Sequence, residues 1–329
     1  MKEKAVYITR DELGGYSKTA TEYCKALEVV SNYEATLCVG EECRIPPEIE
    51  TKAARIVRFN RVSDLLKAKR SELSLAPDVR LFSRYDFPCL FAALQLKRES
   101  GCPWTVFCWD PPCMTRRDKS FWARVVIDAL FRFLIRKCDH LVLNIHPGLL
   151  REMGFSKREL DERISRGWLE LRMQDAFVDL TPETLSPIES GGSDYDVGVL
   201  SGWMEKKGGS LVVAALRELP RLKCLWIGTK PREYVACPQI EFTGNLPQEE
   251  AFARLRKCRV LLVPYLPVRS LKWNYVLKIF EYLRLGRLVL ASDNPGNMAV
   301  SEKFPGRVVS FKSGDSADLA QKLRALCAD

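Results

Sequence analysis

Residues 277–293, with the sequence LKIFEYLRLGRLVLASD, decide the fold of this chain. They predict an amphipathic helix that ends at Gly286, followed at once by the apolar strand LVLAS at 288–292. A helix that runs directly into a buried strand is typical of a parallel sheet. Lys278 and Glu281 are three residues apart and therefore share a helix face. At the mouth of such a sheet, a glutamate can accept both hydroxyls of a ribose and a lysine can bind phosphate, which indicates a nucleotide-activated substrate.

The same alternation of apolar strands and helices extends outward from this segment through most of the chain. In the second half we predict strands at 197–200, 222–228, 240–244, 260–264 and 308–311, and helices at 210–219, 248–256, 275–285 and 316–326. In the first half we predict strands at 5–9, 34–40, 80–84, 103–109 and 140–144, and helices at 17–30, 88–98, 120–137 and 147–153. The predicted fold class is α/β, with two Rossmann-like, doubly wound domains.

The boundary between the two predicted domains falls in TPETLSPIESGGSDYD, residues 181–196, which is rich in Pro, Ser, Gly and acidic residues. We predict an N-terminal domain at 1–183, a linker at 184–196 and a C-terminal domain at 197–329, whose last helix can pack back on the N-terminal domain. Ligands bind doubly wound sheets at the carboxyl ends of the strands. We therefore expect the site in a cleft between two facing domains.

Composition predicts a globular protein and excludes several other classes. The chain has 329 residues, of which 47% are hydrophobic and 28% are charged. No apolar run reaches the ~18–20 residues that span a bilayer, and the N-terminus lacks the apolar core of a secretory signal. The twelve cysteines form no CxxC pair and there are two histidines, so we expect no metal site and reduced, buried cysteines. The expected location is the cytoplasm.

The net charge of +9 is compatible with an anionic substrate or an anionic membrane surface. Basic residues are spread along the chain without a stripe, which argues against a nucleic-acid partner. Residues 115–139 combine seven basic and three acidic residues with Phe and Trp. A helix within 115–137 could contact anionic lipid at the membrane periphery, or could simply cover a sheet with its charges outward.

We predict anion sites in two loops that precede helices. One loop contains two glycines and the other contains two lysines. Gly14 and Gly15 separate the first strand from its helix, where backbone N–H groups can approach a phosphate closely. An ordinary tight turn is the alternative. Lys206 and Lys207 precede the helix at 210–219, where they can bind a diphosphate together with the helix dipole. Two solvated surface lysines are the alternative there.

Polar residues after two first-half strands are further candidates. Asp110 follows the strand at 103–109 and could bind a sugar hydroxyl, act as a base, or cap the following PPCM segment. His146 follows the strand at 140–144 and is a candidate polar ligand. Asp194 and Asp196 imitate a metal-binding DxD, but they precede a strand instead of following one, so we expect a solvated turn and no metal.

These segments together resemble retaining GT-B glycosyltransferases of the group 1, family 4-like type. The resemblance is strongest from Val197 onward. IGTKPREY is similar to the family's "iG.Gp", VLLVPYLP to its "vlv.PS", and LKIFEYLRLGRLVLASDNPG to its "lk.lEaMA.G.PVvas..gG". In the first half, KCDHLVLNIHPGLLREMGF and AFVDLTPE are similar to family segments, with His146 near the usual Ser and Asp179 at the family Asp.

The resemblance implies a nucleotide-diphosphate sugar that is bound mainly by the second domain, with Glu281 on the ribose and Lys207 on the diphosphate. Gly14 and Gly15 would approach the phosphates or the acceptor. It also implies transfer to a glycan or lipid-linked acceptor, with retained configuration and without a metal or other cofactor. Two departures stand out: Trp273 occupies the position of the family's first motif glutamate, and Val199 that of an arginine.

Three alternatives to a glycosyltransferase remain open at this point. A nucleotide-sugar 2-epimerase shares the two-domain architecture but needs several acid/base side chains, and this chain is poor in histidine. A non-catalytic relative that acts as a scaffold would explain Trp273 and Val199. Sugar transfer to DNA fits the even charge distribution least well.

Overall fold

The structure is a computed structural model that describes residues 2–10, 13, 21–67, 73, 75–111, 120–173, 180–188, 194–231 and 237–328. Within these residues, one parallel sheet lies in each of two units, Met1–Phe177 and Val178–Asp329. The described part of the chain has no helix that is both long and apolar enough to cross a membrane.

The first unit contains strands β1 to β7, which pair in the order β3-β2-β1-β4-β5-β6-β7 within the described residues. Every pairing is parallel. The strands are β1 Lys4–Ile8, β2 Glu34–Gly40, β3 Arg55–Phe59, β4 Arg80–Arg84, β5 Trp104–Cys108, β6 His140–Leu143 and β7 Leu169–Leu171. The helices are α1 Thr21–Asn32, α2 Pro47–Glu50, α3 Val62–Lys67, α4 Phe87–Ser100, α5 Phe121–Ile135, α6 Gly148–Glu152 and α7 Lys157–Ser165.

The second unit contains strands β8 to β13, ordered β10-β9-β8-β11-β12-β13 among the described residues, again all parallel. The strands are β8 Tyr195–Leu200, β9 Cys224–Ile227, β10 Ile240–Gly244, β11 Cys258–Val263, β12 Leu288–Ser292 and β13 Val308–Phe311. The helices are α8 Gly209–Arg217, α9 Gln248–Leu255, α10 Arg269–Lys272, α11 Leu277–Arg284, α12 Pro295–Lys303 and α13 Ser316–Leu326. In both sheets the strand order reverses beside the first strand, which is the topology of a doubly wound fold.

Local sequence explains why these elements form. Strand β11 reads CRVLLV and is almost entirely buried, as expected for a central strand covered on both faces. Helix α4 is capped at its N-terminus by Asp86, whose carboxylate accepts a hydrogen bond from the Cys89 amide, and at its C-terminus by Gly101 with φ 73°. Gly286, with φ 69°, ends α11 as predicted.

The core of the second unit explains the position of its last helix. Leu319, Ala320 and Leu323 of α13 are buried in the same cluster as Leu216 of α8 and Trp226 of β9. The last helix therefore packs on its own unit.

The structure also contains elements that sequence periodicity did not reveal. Helices α2 and α10 have four residues each, which is too short to show a period of 3.6. Helix α12 begins with Pro-Gly, which reads as a turn. Strand β8 begins at Tyr195, so the last two residues of the predicted linker belong to the strand.

The expectation of buried cysteine thiols is confirmed for the described residues. Ten of the eleven described cysteines are buried, Cys24 is intermediate, and none of the eleven forms a disulfide. Burial raises the pKa of Cys138 and of Cys258 to about 12, so these thiols stay protonated and behave as small apolar groups.

Candidate functional site

The loops after β8 and β11 meet at the carboxyl edge of the second sheet, where the strand order reverses. The amide of Leu266 donates a hydrogen bond of 3.0 Å to the Lys206 carbonyl. Gly208 has φ 80°, and a Cβ atom there would lie 2.0 Å from the carbonyl oxygen of Pro264. Only glycine permits both this backbone conformation and this close approach. The two loops are therefore held together directly in front of α8.

Three lysines converge at this edge, and we call them the lysine cluster: Lys206, Lys207 and Lys278. Burial lowers the pKa of Lys207, and the positive charges of Lys206 and Lys278 lower it further. The Lys207 ammonium also lies 5.9 Å from the ring centre of Tyr265. Because the like charges of the three ammonium groups repel each other, a bound anion would stabilise the cluster.

Glu281 lies inside α11 beside the lysine cluster. The ammonium of Lys278 donates a hydrogen bond of 2.7 Å to the Glu281 Oε2 atom, with the two side chains 33% and 9% exposed. The predicted shared helix face of Lys278 and Glu281 is thus confirmed as a direct ion pair. The carboxylate is held in one orientation, and its charge offsets one of the three ammonium groups.

The carboxyl edge of the first sheet is built differently, around a buried ion network. The Tyr7 hydroxyl donates a hydrogen bond of 2.7 Å to Glu22, whose other oxygen lies 3.8 Å from the Arg84 guanidinium. Arg84 also lies 3.7 Å from the Asp86 carboxylate and stacks over the rings of Tyr85 and Trp109. Burial raises the pKa of Tyr85 above its usual value, with a further upward contribution from Asp110.

Asp110 and His146 follow the neighbouring strands β5 and β6, so topology brings both to this edge. The amide of Gly148 donates a hydrogen bond of 3.1 Å to the His146 Nδ1 atom. In the neutral imidazole, Nδ1 then carries no proton and Nε2 does. His146 is thereby prepared to donate a hydrogen bond from Nε2, and this geometry disfavours a role as a general base. Gly14 and Gly15, which were also predicted here, lie outside the described residues.

Comparison with known families bears on the second unit. Residues 196–329 match the family described as glycosyl transferases group 1. The second unit therefore resembles the group 1 glycosyltransferases. The matched region contains the lysine cluster, Glu281 and Tyr265, and it is the part of the chain for which the sequence resemblance was strongest. A search among curated proteins gave no match.

Solved structures show the fold of the whole chain. HepE from Anabaena, in complex with UDP-glucose, is 13% identical with a TM-score of 0.60, over 99% of this chain and 90% of that one. A glycosyltransferase from Rickettsia africae is 12% identical with a TM-score of 0.62, over 99% and 88%. UDP-GlcNAc 2-epimerase from Methanocaldococcus jannaschii is 11% identical with a TM-score of 0.53, over 100% and 93%. The predicted GT-B fold with two Rossmann-like domains is confirmed.

Sequence reasoning missed Tyr265, which stands where the group 1 family segment has its Ser. The side chain is 8% exposed, and burial raises its pKa to about 12 although Ser201 hydrogen-bonds to it. Its ring lies beside Lys207, and the Glu281 carboxylate contributes to its raised pKa. Tyr265 therefore places a buried aromatic ring next to the lysine cluster. The sequence signal that could have identified Tyr265 was its position directly after a predicted buried strand.

Two buried asparagines, also missed, hold the loop after β12 in place. The Asn294 Nδ2 atom donates to the Tyr265 carbonyl at 2.9 Å and to the Ser292 hydroxyl at 3.2 Å. Asn297 donates to the Ser292 carbonyl at 3.0 Å. Both asparagines are at most 1% exposed. Asn294 thus ties the loop after β12 to the Tyr265 backbone, and Asn297 ties it to Ser292.

Trp273, which occupies the position of the family's first motif glutamate, ends helix α10. The ammonium of Lys272 lies 4.5 Å from the centre of its ring. A Cβ atom on Gly296, at the start of α12, would lie 2.1 Å from the Asn274 carbonyl oxygen. The Trp273–Asn274 backbone is therefore packed directly on the N-terminal turn of α12.

The DxD-like pair lies at the opposite, amino end of β8. Asp194 accepts a hydrogen bond of 3.1 Å from Lys257, and Asp196 accepts one of 2.8 Å from the Lys223 amide. Both carboxylates thus have protein partners away from the lysine cluster. Within the described residues, no group of three or more His, Cys, Asp or Glu side chains is arranged to hold a metal ion.

Proposed function

We propose that the chain is a glycosyltransferase that moves a sugar, expected to be a hexose, from a nucleotide-diphosphate sugar to a glycan or lipid-linked acceptor. The observation that carries this proposal is the lysine cluster beside Glu281 at the carboxyl edge of the second sheet, within the region that matches the group 1 family. The complex of HepE with UDP-glucose, which has the same fold, supports a nucleotide-sugar donor.

In this proposal, the lysine cluster binds the diphosphate and α8 supports it. Positive charge on Lys206 and Lys207 stabilises the negative charge that develops on the leaving diphosphate as the glycosidic bond breaks. The N-terminal turn of α8, which begins at Gly209, adds backbone N–H groups and the positive end of its dipole. These groups supply the electrostatic stabilisation that a metal would otherwise give, so we propose a metal-independent reaction.

Glu281 provides the nucleoside contact. Lys278 donates a hydrogen bond of 2.7 Å to one carboxylate oxygen, and this orients the group. A carboxylate held in this way can accept hydrogen bonds from the two ribose hydroxyls. Lys278 then has two roles, because it orients Glu281 and adds charge near the phosphates.

Asp110 and His146 are proposed for the acceptor side of the reaction. A carboxylate at Asp110 can accept the proton of the attacking hydroxyl or hold a sugar hydroxyl. His146, whose Nδ1 atom accepts from Gly148, can only orient a ligand by donating from Nε2 in its neutral form. Retention of the anomeric configuration is part of the proposal and follows from the family resemblance.

A donor screen tests this function. We expect one nucleoside diphosphate among UDP, GDP, ADP and dTDP to raise the thermal unfolding temperature, and its sugar conjugates to be hydrolysed slowly without acceptor. EDTA should leave this hydrolysis unchanged, and NMR of the transferred sugar should show the donor's anomeric configuration. Absence of any stabilisation at millimolar nucleotide would contradict the proposal and favour a non-catalytic scaffold.

The second candidate is a nucleotide-sugar 2-epimerase, which is favoured by the likeness in fold to the Methanocaldococcus jannaschii enzyme. An epimerase would convert the nucleotide sugar to its C2 epimer with no acceptor present. Proton NMR of the donor after incubation separates the two functions. Free sugar and nucleoside diphosphate support the transferase, whereas a new nucleotide sugar supports the epimerase.

A further inference from the structure

Helix α5 of the first unit exposes an unusual amount of apolar surface. Phe121, Trp122, Val125 and Val126 are 63%, 75%, 43% and 63% exposed, and Phe133 is 47% exposed. Spacings of four between Phe121 and Val125 and between Trp122 and Val126, and of seven between Val126 and Phe133, place these side chains along one side of the helix. We call these five residues the α5 surface. Contiguous exposed apolar surface of this kind marks an interaction site.

The helix is buried most deeply in its C-terminal part. Phe131, Leu134 and Ile135 are buried, and the ring of Phe131 lies 6.3 Å from that of Phe87. Arg132 donates hydrogen bonds to the carbonyls of Met153 and Gly154, at 3.0 and 3.2 Å. From residue 121 to residue 130 no side chain is buried. The N-terminal two-thirds of the helix is therefore less deeply buried than its C-terminal third and exposes most of its apolar side chains.

An apolar groove continues the α5 surface onto α4. It has a volume of about 610 Å³ and is lined by Leu66, Pro88, Phe91, Leu94, Phe133 and, at its edge, Arg98. Phe91 is itself 46% exposed. Phe133 belongs to both features, so the exposed helix side and the groove form one continuous apolar area.

Basic residues surround this area. Residues 120–137 contain Arg124, Arg132, Arg136 and Lys137 but one acidic residue, Asp128. Arg124 and Lys137 are exposed, and the Lys137 ammonium lies 5.4 Å from the ring centre of Phe133. A long basic side chain placed beside an exposed aromatic ring can keep its charge at the headgroups while the ring enters the apolar layer. Residues 115–119, part of the segment predicted to contact lipid, lie outside the described residues.

We propose that the α5 surface docks the first unit on an anionic lipid bilayer. Aromatic rings at the helix start would enter the boundary between headgroups and acyl chains, where Trp is favoured. Arg98, Arg124 and Lys137 would bind the negatively charged headgroups. A protein partner would not require basic residues on both sides of the exposed rings, which is why a bilayer fits better than a second copy of the chain. This proposal stands independently of the donor site.

Vesicle flotation with the whole chain tests the proposal. We expect binding to vesicles of phosphatidylcholine mixed with phosphatidylglycerol, little binding to phosphatidylcholine alone, and loss of binding as salt is raised. The double variant Phe121→Ser, Trp122→Ser should bind the mixed vesicles at least ~10-fold more weakly, since two large apolar groups no longer enter the interface. Arg124→Gln and Lys137→Gln should each reduce binding about five-fold.

The control is Ile188→Ser, which removes an exposed apolar side chain, 43% exposed, from the second unit. It should bind vesicles like the original chain. The thermal unfolding temperature should be the same in all these variants, which shows that they are folded. Nucleotide affinity should also be unchanged, which separates this proposal from the proposed function. Equal binding to neutral and anionic vesicles, or no effect of the Phe121 and Trp122 changes, would overturn the proposal. So would dimerisation that these changes abolish, with no vesicle binding.

Discussion

The carboxyl edges of the two sheets have the same topology but opposite electrostatic designs. At the first edge, Arg84 lies between the carboxylates of Glu22 and Asp86, so opposite charges compensate each other within the protein. At the second edge, the three ammonium groups of the lysine cluster face one carboxylate, Glu281. Burial lowers the pKa of Lys207, and the positive charges of Lys206 and Lys278 lower it further.

This difference indicates at which edge a ligand would have to compensate charge that the protein leaves unbalanced. At the first edge, the guanidinium of Arg84 is already paired with carboxylates of the protein itself. The second edge keeps an excess of positive charge that a diphosphate would neutralise. The ion pairs of the first edge should therefore matter mainly for folding, and the lysines of the second mainly for binding.

The largest expected effect is a loss of stability at the first edge. Arg84→Met leaves Glu22, 6% exposed, without its guanidinium partner, and should lower the free energy of unfolding by ~3–5 kcal/mol. Arg80→Met, at the other end of the same strand, removes an exposed pair with Glu3 and should cost less than ~1 kcal/mol. Urea denaturation measures both, and equal losses would show that the first edge is not a structural network.

Gly208→Ala tests whether the close approach of the Gly208 loop to the Pro264 carbonyl is needed for stability. The new methyl group would meet the Pro264 carbonyl at 2.0 Å, in a backbone conformation with φ 80°. We expect a loss of ~2–3 kcal/mol or more in the free energy of unfolding. The control is Gly314→Ala, which has the same φ of 80° and open space around it, and so reports the backbone strain alone. If both variants lose the same stability, the close approach is unimportant.

Glu281→Gln should weaken nucleotide binding by ~10–100-fold, because an amide accepts the ribose hydrogen bonds less strongly than a carboxylate. Stability should change less than at Arg84, since Lys278 is 33% exposed and can be solvated after its partner is lost. Calorimetric titration measures the affinity. An unchanged dissociation constant would remove Glu281 from the nucleoside site.

The smallest expected effect is in the pH dependence of nucleotide affinity. The pKa of Lys207 is lowered below its usual 10.5, so this ammonium loses its proton at a lower pH than an ordinary lysine. Diphosphate affinity should therefore begin to fall below pH 10.5, while the stability penalty of the charged, half-buried lysine disappears as the pH rises over the same window. Lys207→Arg keeps its charge and should extend binding to higher pH. If the original chain and Lys207→Arg show the same pH profile of nucleotide affinity, Lys207 is not the group whose deprotonation weakens binding.

The parts of this design that follow from local sequence could be predicted, and those that depend on strand order could not. The strand at 288–292 was predicted to the residue, because an apolar run follows directly on Gly286. The spacing of Lys278 and Glu281 predicted a shared face, but not that the two would pair with each other. Tyr265 approaches Lys207 because β8 and β11 are neighbours, and no periodicity within either strand reveals that pairing.

The most direct test of the account compares nucleotides with nucleosides on the original chain and on Lys207→Ala. Calorimetry with UDP, GDP, ADP and dTDP should find one that binds, at least ~10-fold more tightly than its nucleoside, and Lys207→Ala should remove most of that difference without lowering the unfolding temperature. Lys312→Ala, at a lysine 73% exposed, should bind normally. A nucleoside that binds as tightly as its diphosphate, or a Lys207→Ala variant that keeps full diphosphate affinity, would contradict a phosphate site at the second edge.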